Sequence, residues 1–304
     1  MTLIRKAELV GVSHSNKSAL GQPCARLRPT GISPVQQVAG YQIGRCLGTG
    51  SYGAVFLARS AEAGETRAIK FDQRFKGEQR IRHEAEIGEI LGRHENLIEV
   101  FEAGEIEGIP YLMMEYFAGE TLIELMGRQK DKRFSVDETV SIITQVAKAL
   151  AYIHSQGYVH RDVKLGNIFI IKSEIDSEYA VKLLDYGFVE KIELSGPDEF
   201  GRVFGTPSYM SPEQVLFLQL DKRSDVFSLG VVMFMMLTGK SPFREEEVGD
   251  TVQNVETKCP DMDLLPNSVP GMLKLILAKM LTKNSIHRYK TCEELIRDIQ
   301  QVRG

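Results

Sequence analysis

The hydrophobic period of this chain changes once, near residue 119, and a fold made of one kind of element cannot satisfy both halves. Before that point, short β-type runs at 41–47, 54–59 and 66–71 are separated by Gly-containing turns and read as a meander. A helical pattern over 78–92 sets Ile81, Ile87 and Leu91 on one side, and two further strand candidates follow at 98–103 and 110–116. From residue 121 onward helical spacing dominates. Ser135 and Glu138 have the spacing of a capping box, and Val136, Val140, Ile143, Val146, Leu150 and Ile153 recur behind them until Gly157. The stretch 225–238 is apolar nearly all round and belongs in a core. Thr291 and Glu294 open a last helix whose Leu295, Ile299 and Val302 face inward. The spacing therefore predicts an α+β fold, a small β-rich lobe of about 41–115 and a larger helical lobe of about 119–304, joined near 115–119.

Composition narrows the function. At 304 residues and 43% hydrophobic, the chain can bury a full core. A net charge of -4 gives no reason to expect nucleic acid as a partner. The charge is uneven, because residues 1–40 hold Arg5, Lys6, Lys17, Arg26 and Arg28 against Glu8 alone. That stretch is rich in Ser, Gly and Pro. It reads as a flexible basic tail, with a short strand possible at 9–12, ahead of a domain over 41–304. Cys24, Cys46, Cys259 and Cys292 follow neither metal nor disulfide spacing, so a reducing compartment is expected. The longest apolar run, 231–237, falls far short of the ~20 residues that span a bilayer. The expectation is a soluble, cytoplasmic protein.

Several motifs carry chemistry. Gly48, Gly50 and Gly53, between Leu47 and Val55, let backbone N–H groups approach phosphate oxygens without an intervening Cβ. A strand pattern follows this loop, and Lys70 rather than an acid lies 22 positions after Gly48, which disfavours a dinucleotide fold. Lys70 ends a strand candidate, with Glu84 or Glu86 in the next helix as its partner. Glu84 shares a face with Ile81, Ile87 and Leu91, which favours it, although Gly88 leaves a gap in that face. The stretch 160–167 packs Asp162, Lys164 and Asn167 into one turn, offering a carboxylate for a hydroxyl proton, a cation for a phosphate and an oxygen ligand for a metal. Asp185 stands at a strand end beside Gly187, suited to Mg2+. Gly205-Thr206-Pro207, Ser211-Pro212-Glu213, Asp225 and Arg288 follow. Taken singly, each such residue is structural more often than catalytic.

In this order and at this spacing the motifs resemble those of the eukaryotic-type (Hanks-type) Ser/Thr protein kinase family over about residues 41–302. The resemblance implies a bilobal kinase fold, with ATP and Mg2+ as cofactors and a protein substrate bearing a Ser or Thr acceptor. It implies that Asp162 takes the hydroxyl proton, Lys164 steadies the γ-phosphate, and Asn167 and Asp185 hold Mg2+. Lys70 would bind the α- and β-phosphates and pair with Glu84. The adenine would lie between Leu47, Val55 and Ala68 above and Phe169 below, against backbone groups of Glu115 and Phe117, with Met114 behind it. Glu213–Arg288 would be a buried structural pair, and Asp225 would bind the backbone at His160 and Arg161. Lys164 and Gly205-Thr206 resemble the Ser/Thr branch rather than the Tyr branch.

The departures from the family pattern are specific. Leu165 stands where the family usually has Pro, and Tyr186 replaces the usual Phe and brings a hydroxyl that needs a partner. Gly166 and Met235 stand where basophilic relatives carry acids, so a strong preference for Arg in the substrate is not expected. Arg202 occupies the usual phosphosite, and Ser195 is the single hydroxyl in 188–205, so Arg161 lacks its usual phosphate partner. Asp198 or Glu199 is expected to serve as a fixed anion instead. The rival reading is a catalytically weak scaffold that binds ATP and protein partners, since fold alone does not fix activity.

Overall fold

The computed structural model describes residues 37–50, 53–60, 62–72, 77–172, 179–195 and 205–302. The strand expected at 9–12 and the acids Asp198 and Glu199 lie outside these residues.

The first half forms an antiparallel sheet of six strands in the order β1-β2-β3-β4-β6-β5. Its strands are β1 (Gln37–Val38), β2 (Tyr41–Gly50), β3 (Gly53–Ser60), β4 (Thr66–Phe71), β5 (Val100–Ile106) and β6 (Ile109–Glu115), with α1 (Gly77–Leu91) crossing between β4 and β5. Alternation makes these strands two-faced: in β3, Ala54, Phe56 and Ala58 are buried while their neighbours are partly exposed. With Ile69, Phe71 and Tyr111 they form a small core of their own. The rings of Phe56 and Phe71 meet edge-on at 5.9 Å. β1 falls within the stretch read as tail. Its two residues pair with Tyr41 and Gln42 through a turn at Ala39-Gly40, too short a ladder to leave a period in the sequence.

Helix α1 buries Ile81, Glu84, Ile87, Gly88 and Leu91. The gap at Gly88 has a steric cause: a Cβ there would lie 2.5 Å from Cβ of Val100 on β5. Ile87 and Leu91 reach the large core of the second half, so α1 is packed by both lobes.

The second half contains β7 (Glu120–Thr121), α2 (Leu122–Arg128), α3 (Val136–Ser155), β8 (Tyr158–Val159), β9 (Ile168–Lys172), β10 (Tyr179–Leu183), β11 (Glu190–Lys191), α4 (Pro212–Val215), α5 (Lys222–Thr238), α6 (Val248–Thr257), α7 (Gly271–Met280) and α8 (Cys292–Gln300). Ser135 and Glu138 close the capping box at the start of α3. Asp221 caps α5, and Gly239, in the left-handed region at φ 74°, ends it. Along α5, Val226 through Phe234 is buried without interruption, which is why its sequence shows no polar face. Two short ladders position the chemistry. The β9–β10 hairpin pairs Ile168 with Leu183 and so brings Asn167 and Asp185 to one end. The β8–β11 pair sets Glu190 opposite Val159, next to the 160–167 loop. Among the described residues, no helix is long and apolar enough to cross a membrane.

Candidate active site

Side chains from β4, α1, the 160–167 loop and the turn after β10 converge between the lobes. Lys70 Nζ lies 2.7 and 2.9 Å from the two carboxylate oxygens of Glu84, and 3.4 Å from Asp185 Oδ1. Glu86 is exposed on the other side of α1 and does not meet Lys70. Lys164 Nζ donates to Asp162 Oδ2 at 2.5 Å. The amide nitrogen of Asn167 donates to Asp162 O and to Asp162 Oδ2, both at 2.9 Å. With its nitrogen committed to two acceptors, the amide keeps its Oδ1 as the atom that could serve a cation.

The acids of this cluster are pushed in different directions. Burial raises the pKa of Asp162, and Lys164 offsets this only in part. Burial would raise Asp185 too, but the Lys70 and Lys164 ammonium groups outweigh it and hold its carboxyl below the usual range. One carboxylate is thus disposed to accept a proton and the other to remain an anion. Burial pushes Glu84 up to about 7, against the pull of Lys70. Lys70 loses charge stabilisation by burial but gains more from Asp185 and Glu84, so its pKa lies above the ordinary value.

The backbone is shaped for this meeting. Asp185 has φ 67° and Arg161 φ 69°, both in the left-handed region where a side chain costs energy. A Cβ at Gly187 would come within 3.1 Å of Glu84 Oε1 and 3.3 Å of Asp185 Oδ1, so any larger residue there would have to displace these carboxylates by a few tenths of an ångström. Asp225, fully buried, accepts from the N–H groups of His160 at 2.8 Å and Arg161 at 2.9 Å and so fixes the loop. Gln214 adds a bond from its side chain to Arg161 O at 2.9 Å. The Tyr186 hydroxyl finds its partner in Ile98 O at 2.6 Å, which ties the turn to the entrance of β5. Leu165, the residue that departs from the family's usual proline, is fully buried.

Of the residues expected around the adenine, Leu47, Val55, Met114, Phe117 and Phe169 are half-buried and Ala68 is buried. The Glu115 N–H is bound to Glu99 O, and Phe117 O accepts from the Gly119 N–H. Glycines 48, 50 and 53 flank residues 51 and 52, which lie outside the described residues.

Three partners were not legible in the motifs. His154 Nε2 sits 2.8 Å from Asp225 Oδ2, and its other nitrogen is 3.8 Å from Cys292 Sγ. Its place four residues after Leu150, on the inner face of α3, was the available signal. Lys182 bridges to Glu115 at 2.8 Å. Arg161 is met by the carboxylate of Glu190, an acid that no periodicity singled out. Glu213 and Arg288 form a two-pronged pair at 2.7 and 2.9 Å.

Among the described residues, no group of three or more His, Cys, Asp or Glu side chains is arranged to hold a metal ion. A hard cation at Asp185 and Asn167 would therefore complete its shell with phosphate and water oxygens, as Mg2+ does.

A protein kinase domain family model matches residues 41–299. The serine/threonine-protein kinase PrkC of Bacillus subtilis is 32% identical over 266 residues, covering 86% of this chain and 40% of its own length. PknB of Mycolicibacterium smegmatis is 33% identical over 280 residues, 86% of this chain and 43% of its own. A probable serine/threonine-protein kinase of Clostridium perfringens is 30% identical over 268 residues, with 86% and 38% covered. The chain spans about two-fifths of the length of these relatives.

Proposed function

Because the chain belongs to the protein kinase domain family, we propose that it transfers the γ-phosphoryl group of ATP to Ser or Thr hydroxyls of protein substrates. The observation that carries this reading is the convergence of Lys70, Glu84 and Asp185 in one ionic cluster, with Lys164 and Asn167 both bound to the carboxylate of Asp162. Asp162 accepts the proton of the attacking hydroxyl, and Lys164, bound to the same carboxylate, steadies the phosphate that moves. Lys70 holds the α- and β-phosphates. The adenine lies among Leu47, Val55, Ala68, Met114 and Phe169, against the backbone at Glu115 and Phe117. The loop of Gly48, Gly50 and Gly53 covers the phosphates. Asp185 and Asn167 Oδ1 would hold Mg2+, which supplies charge neutralisation when bound.

In this reading Glu190 supplies the anion for Arg161, so the site is assembled without a phosphate on the 188–205 segment. That segment's single hydroxyl, Ser195, is fully buried.

The test is Mg-ATP with Ser-, Thr- and Tyr-containing peptides, comparing wild type with Asp162→Asn and Asp185→Ala. The wild type should label Ser and Thr peptides, and each variant should lose about a hundredfold or more. Retained transfer in Asp185→Ala would defeat the metal assignment. ATP binding without any transfer by the wild type would instead support the scaffold reading.

A further inference from the structure

A groove of about 640 Å3 runs along the outer side of α1, between that helix and β5, away from the Lys70–Glu84 pair. Its floor is apolar, from buried Ile81 and half-buried Ala85 and Val100. Its rims are acidic: Glu78, Glu86 and Glu89 on the helix and Glu102 and Glu105 on the strand, against Arg82 alone. Glu78 is engaged by Arg82 at 2.7 Å, and Glu102 accepts from the Tyr111 hydroxyl at 2.9 Å. Glu86, Glu89 and Glu105 have no partner among the described residues. The β5 strand is also an edge of the sheet, and among the described residues no strand pairs with its far side.

The chain itself carries a segment of matching chemistry. Residues 1–36 hold five basic residues and one acid. Arg26-Leu27-Arg28 alternates, so an extended backbone sets two guanidinium groups on one side and an apolar group on the other. The topology puts this segment within reach. The pairs Val38↔Tyr41, Tyr41↔Ser60, Arg59↔Thr66, Arg67↔Glu115 and Val100↔Met114 run in one row across the sheet. The chain therefore enters β1 level with the Val100 end of the groove. Five strand spacings make that crossing about 24 Å. The stretch from Arg28 to Gln37 extends to about 30 Å.

We propose that the α1–β5 groove is the docking site of the chain's own N-terminal segment, with Leu27 on the apolar floor and Arg26 and Arg28 against Glu86, Glu89 and Glu105. Docking there braces α1 from behind, on the helix whose inner face presents Glu84 to Lys70.

The experiment reads position, not activity, and so stands apart from the phosphotransfer reading. Leu27 is replaced by p-benzoylphenylalanine in the full chain, which is irradiated and mapped by mass spectrometry. Adducts are expected within the same chain, on residues 78–105. Arg26→Glu with Arg28→Glu should lower their yield at least about fivefold, because each rim pair contributes little alone but they act together. Glu86→Lys, Glu89→Lys and Glu105→Lys together should do the same, and combining both reversals should restore most of the yield. Adducts elsewhere, adducts only between copies, or a yield indifferent to the reversals would each overturn the proposal. The tail variant decides the matter even if the groove variant does not fold, since it leaves the groove's residues intact.

Discussion

Two buried carboxylate–cation pairs, Glu213–Arg288 and Lys70–Glu84, share their chemistry and differ in how completely they are compensated. Arg288 is fully buried and also donates to Thr282 O, Arg223 O and Lys283 O, while Glu213 accepts in addition from the Ser224 hydroxyl at 2.7 Å. Burial would raise Glu213, but the Arg288 hydrogen bonds outweigh it and its pKa falls below the ordinary value. Lys70 instead divides its charge between Glu84 and Asp185, and Glu84 is left high, near 7. The first pair is locked. The second is shared among three groups and less completely compensated.

The largest expected effect separates the two pairs by readout. Glu213→Ala leaves the Arg288 guanidinium buried without its carboxylate and should cost about 3–5 kcal/mol of stability, measured by denaturant unfolding. Lys70→Met removes a cation that both Glu84 and Asp185 use, and should cost about a hundredfold or more in kcat/KM with a much smaller loss of stability, since Glu84 can take up a proton. If both variants lost stability equally, the contrast would fail.

The next effect is a pH dependence. Glu84 has a raised folded pKa, so its contribution to stability is present below the ordinary carboxylate value and is lost as pH rises through about 7. Its contribution to activity runs the other way, because only the ionised form holds Lys70. The kcat/KM profile should therefore fall on the acid side with a midpoint near 7, and Glu84→Gln should give a low profile without that limb. Glu213, with a lowered pKa, contributes stability that is present above the ordinary carboxylate value and lost only as pH falls through its lower folded value. Between pH 6 and 8 it should add nothing to the pH dependence of unfolding.

Where the residues of these pairs reside explains how much of them the sequence shows. Lys70, Asp162, Asn167 and Asp185 stand in short, ordered motifs whose chemistry is readable from residue type and spacing. Glu84 is readable from helical period, and even the gap at Gly88 is a true feature of the period, left by the close approach of Val100. The β2–β4 meander, α1 and α3 are legible for the same reason, since each has one buried face. Helix α5 is legible only as a buried run, because it has no polar face to set its orientation. Glu190 and His154 were not legible as partners. Their roles come from a two-residue ladder and from one side chain within an otherwise apolar face, and neither leaves a repeat in the sequence. The two-residue strand β1 escaped for the same reason.

The smallest effect tests the third ionic contact, Arg161 with Glu190, which lies between the two extremes. Arg161 is nearly buried, while the side chain of Glu190 is 34% exposed. Burial lowers the Arg161 pKa, with Glu190 and Asp225 pulling against it. If Glu190 takes the place of a phosphate here, Glu190→Gln should lower kcat/KM about tenfold, the weight of one hydrogen bond to a charged group, with little change in stability. Phosphatase treatment of the wild type should leave its activity unchanged, because Ser195 is buried and no other hydroxyl lies in 188–205. Loss of activity on that treatment, with the phosphate mapped to this segment, would show that Arg161 answers to a phosphate after all. The contact would then belong with the adjustable Lys70–Glu84 pair and not with the locked one.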